Sequence, residues 1–161
     1  MRRLVVILGG VLILAAANFG IYQKEQLLAS GRVVLLELAP VDPRSLMQGD
    51  YMALRFRVAA QAFNNILAED LADGRMVLAL DDRQVGTFVR HDRGEPLAPQ
   101  EIVLRYRVRD HTPKFATNAF FFQEGTSELY AAARYGEFRV SSSGDAILTH
   151  MRDKDLNPLG R

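Results

Sequence analysis

The sequence predicts a mainly β protein, α+β at the margin, in which an N-terminal transmembrane helix precedes one β-rich antiparallel domain. Two observations support this prediction: an apolar run opens the chain, and several later segments alternate apolar and polar residues between turn-forming residues. The length of 161 residues and the 48% hydrophobic content suit one folded core. The chain has no cysteine, which excludes disulfides, cysteine zinc sites and thiol nucleophiles.

Residues 1–22 have the composition of a membrane anchor. Arg2 and Arg3 precede the run Leu4–Tyr22, which is 19 residues long and is apolar or glycine except at Asn18. About 20 predominantly apolar residues span a bilayer as a helix. Because positive charges stay on the cytoplasmic side, the two arginines predict a single-pass, N-in orientation with the rest of the chain outside the cytoplasm.

Two other interpretations of this segment are open. Leu4–Leu14 also has the length of a signal-peptide core, and the small residues of "AAAN" offer a cleavage site. A buried core helix is the third interpretation, which the absence of a polar face disfavours. The apolar character that continues past the alanines favours an uncleaved anchor.

Gly31 marks the next boundary, because glycine commonly ends helices. Residues 23–31 are therefore predicted as a juxtamembrane helix, residues 32–156 as the β-rich domain and residues 157–161 as a tail, with the chain loose from Arg152 onward. Beyond the anchor the chain carries 18 basic and 19 acidic side chains. This near-neutral balance gives no indication of nucleic-acid binding.

Strands are predicted where apolar residues alternate or run continuously between turns. In the segment Tyr51–Val58, the side chains of Met52, Leu54, Phe56 and Val58 are expected on one face. The other predicted strands are Arg32–Leu38, a hairpin over residues 74–90 that turns near Asp81 and Asp82, Glu101–Asp110, Ala119–Gln123, and a final hairpin over residues 137–151.

Two short helices are expected between these strands. The spacing of Ala59, Phe63, Ile66 and Leu67 fits the first, although the segment is ambiguous. The second, "TSELYAAARYG", begins with Thr and Ser as N-cap residues and ends at Gly136. Loops are predicted for His91–Gln100 and His111–Asn118.

Acid–base catalysis needs two carboxylates in different environments. The candidates are Asp50, Glu124 and Glu137, each beside a glycine and near aromatic residues. Asp50 has a competing structural interpretation, because aspartate side chains hydrogen-bond the backbone of turns. The histidines lack the spacing of a metal site, and no phosphate-binding glycine loop is present. No metal and no cofactor are therefore predicted.

Arginines lie in rows on two predicted strands. Arg55 and Arg57 share one strand, and Arg105, Arg107 and Arg109 share another. If the strands pair, the rows form a basic stripe suited to anionic lipid headgroups or a polyanion. The more common alternative is a solvated sheet face neutralised by nearby carboxylates.

The stretch "MQGDYMALRF" resembles the signature of the GDYXXLXY family of bacterial membrane-anchored proteins. Gly49, Asp50, Tyr51 and Leu54 match the signature, and Phe56 replaces its final tyrosine. The downstream stretches "FFFQEG" and "ARYGEFRV" are also similar to the family. The departure at Phe56 keeps the aromatic ring and loses the hydroxyl group.

This resemblance covers residues 3–156 and implies a domain on the extracytoplasmic, periplasmic side of the bacterial inner membrane. It implies no established activity, although members are often encoded beside multi-pass membrane proteins. The candidate motif surface that follows from it comprises Gly49, Asp50, Tyr51, Leu54, Glu124, Gly125, Arg134, Tyr135, Gly136 and Glu137.

The layout of the same motifs is more weakly similar to type I signal peptidases. That resemblance implies a signal-peptidase-like fold without the protease. The place of the nucleophilic serine falls on Pro40 or Val41, and Ala132 and Ala133 stand where the later motif carries Asp-Ser. A serine/lysine mechanism needs a hydroxyl group beside a desolvated amine.

The predicted function is non-enzymatic: residues 4–22 hold the chain in the membrane, and the domain is an accessory subunit that binds an integral membrane protein. The domain would present to this partner either an edge strand or the motif surface of Tyr51, Glu124, Arg134 and Tyr135. Two alternatives are a cell-envelope hydrolase that uses Asp50, Glu124 or Glu137, and a binder of anionic lipid or polyanion through the arginine rows. No small-molecule ligand is indicated by the sequence.

Overall fold

A computed structural model describes residues 2–39, 47–48, 51–64, 66–67, 70–117 and 119–160. A long helix, α1 (Arg2–Ser30), precedes a β-rich domain. The strands are β1 (Arg32–Glu37), β2 (Met47–Gln48), β3 (Tyr51–Ala53), β4 (Gly74–Leu80), β5 (Gly86–His91), β6 (Glu101–Arg109), β7 (Thr112–Lys114), β8 (Ala119–Phe121), β9 (Tyr135–Val140), β10 (Ala146–Arg152) and β11 (Pro158–Leu159). The short helices are α2 (Arg57–Phe63) and α3 (Ser127–Tyr130).

The described strands form three sheets with antiparallel ladders. Their orders are β1-β9-β10-β11, β5-β4-β6-β7 and β2-β3-β8. A bridge between Leu35 and Val85 connects the first two sheets. The predicted hairpins are confirmed as β4–β5 and β9–β10, and the predicted mainly antiparallel β fold is confirmed with them.

The hydrophobic core lies where the sheets face one another. Val34, Leu36, Leu78, Leu104 and Phe138 supply fully buried side chains from four different strands. Phe56 connects these layers, since its ring lies 5.4 Å from that of Phe138 and 6.1 Å from that of Phe115, both edge to face. Such aromatic pairs add about 0.5–1.5 kcal/mol each beyond the burial of their area. The aromatic ring at position 56 is therefore a core residue.

The helix α1 has the length and composition of a membrane-spanning helix. Its segment Val6–Ser30 has 25 residues, and its apolar stretch has a mean hydropathy of 1.8 with none of its residues buried in the protein. The large apolar side chains from Val6 to Tyr22 are exposed. A cleaved signal sequence would share this length and composition.

The end of α1 is packed onto the first sheet, where α1 contacts β9 and β10. Leu27 is buried there. Gly31 alone separates α1 from β1, and a methyl group at this position would overlap the Leu27 carbonyl oxygen and lie 3.2 Å from Cβ of Arg139. The Arg139 guanidinium donates to the Gly31 carbonyl at 3.2 Å. The glycine therefore permits a close junction between helix and sheet.

The strand predicted over residues 51–58 is shorter than expected. β3 ends at Ala53, and α2 begins at Arg57. The predicted burial is nevertheless correct, because all four inward residues are buried, namely Met52, Leu54, Phe56 and Val58. A short extended segment followed by the start of a helix gives the same alternation over so few residues as a strand does.

The helix α2 also differs from its predicted face. Val58 and Ala62 are its buried residues. Ile66 and Leu67 lie beyond its end with exposed side chains. The predicted helical spacing had included both of them, and packing against β1 and β5 selects a different face.

The helix α3 has only four residues, and no side-chain hydrogen bond caps it. Gly136, predicted as its end, lies inside β9. The Thr126 hydroxyl donates to the Gln123 carbonyl and does not cap the helix. Pairing of β9 with two neighbouring strands therefore overrides the local helix signals.

Two further differences concern very short strands. β7 lies in the segment predicted as the loop His111–Asn118 and pairs with the end of β6. β11 lies in the tail predicted to be loose and pairs with β10. Strands of two or three residues have too few positions for an alternating pattern.

The Gly144→Ala variant is expected to lower the free energy of unfolding by more than about 1 kcal/mol. Gly144 has φ +89°, and a Cβ there would lie 3.0 Å from the backbone nitrogen of Arg105 and from Cγ1 of Val103. Chemical denaturation of the detergent-solubilised full-length protein would measure the change. The control is Gly94→Ala, with φ +85° and open space around the position. Equal losses in both variants would contradict the packing role.

Candidate functional site

The structure distributes the candidate motif residues over several places. Tyr51 lies in β3 opposite Phe121 of β8, with ring centroids 5.8 Å apart. Leu54 is buried in the core. Gly49 and Asp50 lie outside the described residues, so the turn role predicted for Asp50 stays a prediction.

Glu124 and Gly125 occupy an exposed turn between β8 and α3. Gly125 has φ +78°, a conformation that favours glycine. Within the described part of the chain, Glu124 forms no ion pair with Arg134, whose guanidinium donates to the Ala133 carbonyl at 2.8 Å. The turn interpretation of Glu124 therefore accounts for its position.

Arg134, Tyr135 and Gly136 connect the two neighbours of β9. The Arg134 amide donates to the Arg152 carbonyl, and its carbonyl accepts from the Leu38 amide, each at 2.8 Å. Gly136 is buried, and a Cβ there would lie 3.1–3.2 Å from the side chains of Phe138, Leu148 and Phe56. Gly136 thus leaves room for the core aromatic rings.

Glu137 is the one buried charged residue among the described residues, with 4% of its surface exposed. The Arg152 Nε donates to one carboxylate oxygen. The Thr149 hydroxyl donates to the other oxygen at 3.3 Å, and the His150 Nδ1 lies 3.8 Å from that oxygen. These four residues, Glu137, Thr149, His150 and Arg152, form what we call the Glu137 cluster.

A β-bulge assembles the Glu137 cluster. The register between β9 and β10 shifts between Leu148 and His150, so Thr149 is the extra residue. A bulge redirects side chains and increases local twist. It lets the Thr149 hydroxyl donate to the backbone carbonyl of Glu137, at 3.2 Å, as well as to its carboxylate.

The chemistry of the Glu137 cluster is that of a paired buried carboxylate. A guanidinium beside a carboxylate stabilises its charged form, and the hydrogen-bond donors occupy both oxygens. Within the described residues, no group of three or more His, Asp or Glu side chains could hold a metal ion. The arrangement therefore joins β9 to β10, and Glu124 lies on a separate element from Glu137.

The two predicted arginine rows do not combine into one stripe. β3 pairs with β2 and β8, whereas β6 pairs with β4 and β7. Arg55 follows β3, and Arg57 lies in α2 and pairs with Glu37 at 2.9 Å. The strand pairing on which a shared stripe depended is therefore absent among the described strands, because the segment containing Arg55 and Arg57 leaves the sheet after Ala53.

The row on β6 lines a groove beside α1 that we call the basic groove. Its volume is about 380 Å³. It is lined by Lys24, Arg105, Arg107, Arg109, Lys114, Ala116, Asp145 and Ala146. Sequence analysis missed Lys24 and Lys114 as members, because one lies on the apolar helix and the other on a strand predicted as a loop.

Asp73 contacts Arg109, one of the cations that line the basic groove. Its carboxylate accepts from the Val108 amide at 2.6 Å and from the Arg109 guanidinium at 3.3 Å. The backbone hydrogen bond is the main cause that lowers the Asp73 pKa, and the positive charges of Arg109 and Arg107 add to it. Asp73 therefore holds the end of β6 at Val108 and Arg109, next to the exposed arginines of that strand.

A second groove lies between α1 and the domain. It has a volume of about 700 Å³ and is bordered by Phe19, Tyr22 and Leu27 of α1. Its other wall is formed by Leu97, Ile102, Val103, Val140, Ser141 and Ser142, among others. We call it the helix groove. Its walls are mainly apolar and lie next to the apolar segment of α1.

The Glu137→Gln variant is expected to lower the free energy of unfolding by about 1–3 kcal/mol, because Arg152 would lose its charged partner in a buried setting. The matched control is Glu95→Gln, which removes the same charge from an exposed pair with Arg90 and should cost about 0–1 kcal/mol. Denaturant titration of both variants compares them. Equal costs would show that burial does not distinguish the two pairs.

The contribution of Asp73 to stability is expected to depend on pH. The folded-state pKa of Asp73 is lower than the ordinary pKa of an aspartate side chain. The contribution is therefore present above the unfolded-state pKa and is lost as the pH falls through the folded-state pKa. The difference in melting temperature between wild type and Asp73→Asn should therefore shrink in acid. A difference that stays constant between pH 7 and pH 2 would contradict the expectation.

Comparisons with known proteins place this fold in a family. A family model described as GDYXXLXY protein matches residues 13–151, most of the chain. No curated protein and no solved structure matches the chain, and the likeness to signal peptidases stays a prediction. The match includes the stretches that carry Tyr51, Glu124 and Glu137. The chain belongs to the GDYXXLXY family.

Proposed function

We propose that this chain is a non-enzymatic, membrane-anchored domain that acts as an accessory subunit of an integral membrane protein. The observation that supports the proposal best is α1. It is one unbroken helix from Arg2 to Ser30, and its large apolar side chains from Val6 to Tyr22 are not covered by the domain. Uncovered apolar surface of this extent calls for lipid or another protein.

The proposed position is the extracytoplasmic face of the bacterial inner membrane. Arg2 and Arg3 precede the apolar segment, and an excess of positive charge favours the cytoplasmic side. The described residues of α1 after Tyr22 continue directly into the domain through Gly31. The domain then lies on the opposite side, close to the bilayer surface.

A role in binding is favoured over catalysis by the state of the carboxylates. The Glu137 carboxylate is buried and occupied by Arg152 and Thr149. Glu124 lies in an exposed turn. General acid–base catalysis requires a carboxylate within reach of substrate, and neither described carboxylate faces the helix groove or the basic groove.

The helix groove is the proposed binding site of the partner. It lies beside the end of the apolar segment, where a helix of a multi-pass protein would pack against Phe19 and Tyr22 while touching the domain at Leu97. Leu97 is a partly exposed apolar side chain on that wall. The motif residues Tyr51 and Arg134 would provide a second contact, on the β3 and β9 sides of the domain.

The proposal is tested by crosslinking tagged full-length protein in native membranes and identifying the proteins recovered. A multi-pass protein should be recovered with the wild type and with Leu129→Glu, and be lost with Leu97→Glu. Leu129 is also an exposed leucine, but it lies on α3. The same replacement at both positions separates contact from charge.

A Tyr51→Ala/Arg134→Ala variant tests the motif contact in the same experiment. If this variant is recovered from membranes in folded form but without the partner, the motif residues form the contact. The accessory role is contradicted if no multi-pass protein is recovered under conditions that preserve other membrane complexes. Full recovery with every variant would place the contact elsewhere on the chain.

A further inference from the structure

The basic groove concentrates positive charge that the described carboxylates neutralise only in part. Five of its lining side chains are cationic and one, Asp145, is anionic. The three arginines of β6 occupy alternate positions on one face of the strand, while Tyr106 and Val108 between them face the core. Successive residues on one strand face lie about 7 Å apart.

Strand register places like charges directly opposite each other here. Arg107 faces Lys114 across the β6–β7 ladder, and Arg105 faces Arg75 across the β4–β6 ladder. Directly opposed like charges destabilise an antiparallel pair. Arg75 is paired with Asp92 at 2.9 Å, so the opposition of Arg107 and Lys114 is the one that an added anion would relieve.

The carboxylates near the groove compensate this charge only in part. Arg105 pairs with Asp145 at 2.9 Å, and both side chains are exposed to solvent. Lys114 lies 3.9 Å from Asp110, whose side chain is 95% exposed. Such exposed pairs contribute little and are readily exchanged for a stronger anion.

Arg107 and Lys24 carry the remaining charge. Neither forms an ion pair with any residue that the structure describes. Both line the same groove, one from β6 and one from α1. Two cations from separate elements thus converge on one space, which a phosphate group could occupy.

An apolar groove continues from the basic groove. The two share Lys24, Ala116 and Ala146, and the second has a volume of about 490 Å³. Its remaining lining is largely apolar and includes Phe120, Phe121, Ile147 and Leu148. The Phe121 side chain is 74% exposed. A groove lined by cations thus adjoins a largely apolar groove. An amphiphilic ligand with an anionic headgroup and an apolar chain would fit this arrangement.

Both grooves are lined by Lys24, close to the end of the apolar segment of α1. Lys24 is two residues beyond Tyr22, the last residue of the apolar segment, which corresponds to about 3 Å along a helix. Lysine just outside an apolar span lies among the lipid headgroups. The basic groove that contains Lys24 therefore lies at headgroup depth if α1 spans the bilayer.

We infer that the basic groove binds the phosphate headgroup of one anionic phospholipid, whose acyl chain lies along the adjoining apolar groove. Arg107, Lys114 and Lys24 donate hydrogen bonds to the phosphate oxygens. Charge-assisted hydrogen bonds of this type are the strong ones. The inference rests on the membrane anchoring in the proposed function and is independent of a protein partner.

The test uses the full-length protein in a neutral detergent, with no partner present. Phosphatidylglycerol is titrated in and binding is followed by native mass spectrometry and by melting temperature, with phosphatidylcholine as the zwitterionic comparison. Phosphatidylglycerol should bind more tightly and raise the melting temperature more. Each cation near an anionic surface gives about a fivefold gain in affinity.

The Arg107→Gln/Lys114→Gln variant should therefore bind phosphatidylglycerol about 25-fold more weakly. Its control is Arg83→Gln/Arg93→Gln, which removes two charges from exposed positions away from the groove and should bind as the wild type does. Lys24→Gln is a second test. Lys24 is an exposed residue of α1, so this replacement leaves the three sheets unchanged. It should weaken binding about fivefold.

Three outcomes would overturn the inference. The first is equal binding of the two lipids. The second is equal loss in the groove variants and the control. The third has two parts: soluble glycerol phosphate binds as tightly as phosphatidylglycerol, and Phe121→Ser does not change the affinity for phosphatidylglycerol. This result would show that the groove binds a free phosphate compound. Because no partner is present, these outcomes are separate from failure of the crosslinking experiment.

Discussion

The position of the basic groove and of the helix groove depends on the junction between α1 and the first sheet. Leu27 is buried against the sheet, Gly31 allows the closest approach, and Arg139 of β9 hydrogen-bonds the carbonyl at the turn. The strand β1 begins one residue later. This contact fixes Lys24 and Tyr22 beside the domain, so both grooves along α1 exist only because the helix is packed there.

The family motifs have mainly structural roles among the described residues. Leu54 and the aromatic ring of Phe56 lie in the core, and Gly136 leaves room for that ring. Glu137 and Arg152 join β9 to β10 at a bulge. Lys24 and Lys114, which line the basic groove, lie outside these motifs.

The sequence predicted local periodicity well and long-range pairing poorly. Alternation along residues 101–109 correctly placed Leu104 and Tyr106 inside and the arginines outside. The opposition of Arg107 and Lys114 was not predictable, because it depends on which short segment pairs with β6. The Glu137 cluster was missed for a related reason, since one extra residue at Thr149 decides which side chains meet the carboxylate.

With α1 in the bilayer as proposed, the single-residue connection between helix and sheet would make the orientation of the domain depend on the tilt of the helix. An apolar helix longer than the hydrocarbon layer tilts to bury its length, and thickness differs between membranes. Only Gly31 separates α1 from β1. The domain would therefore rotate together with the helix when the helix tilts. A thinner bilayer would therefore bring one side of the domain down toward the headgroups and lift the other away, so that membrane thickness decides which surface is offered to a neighbour.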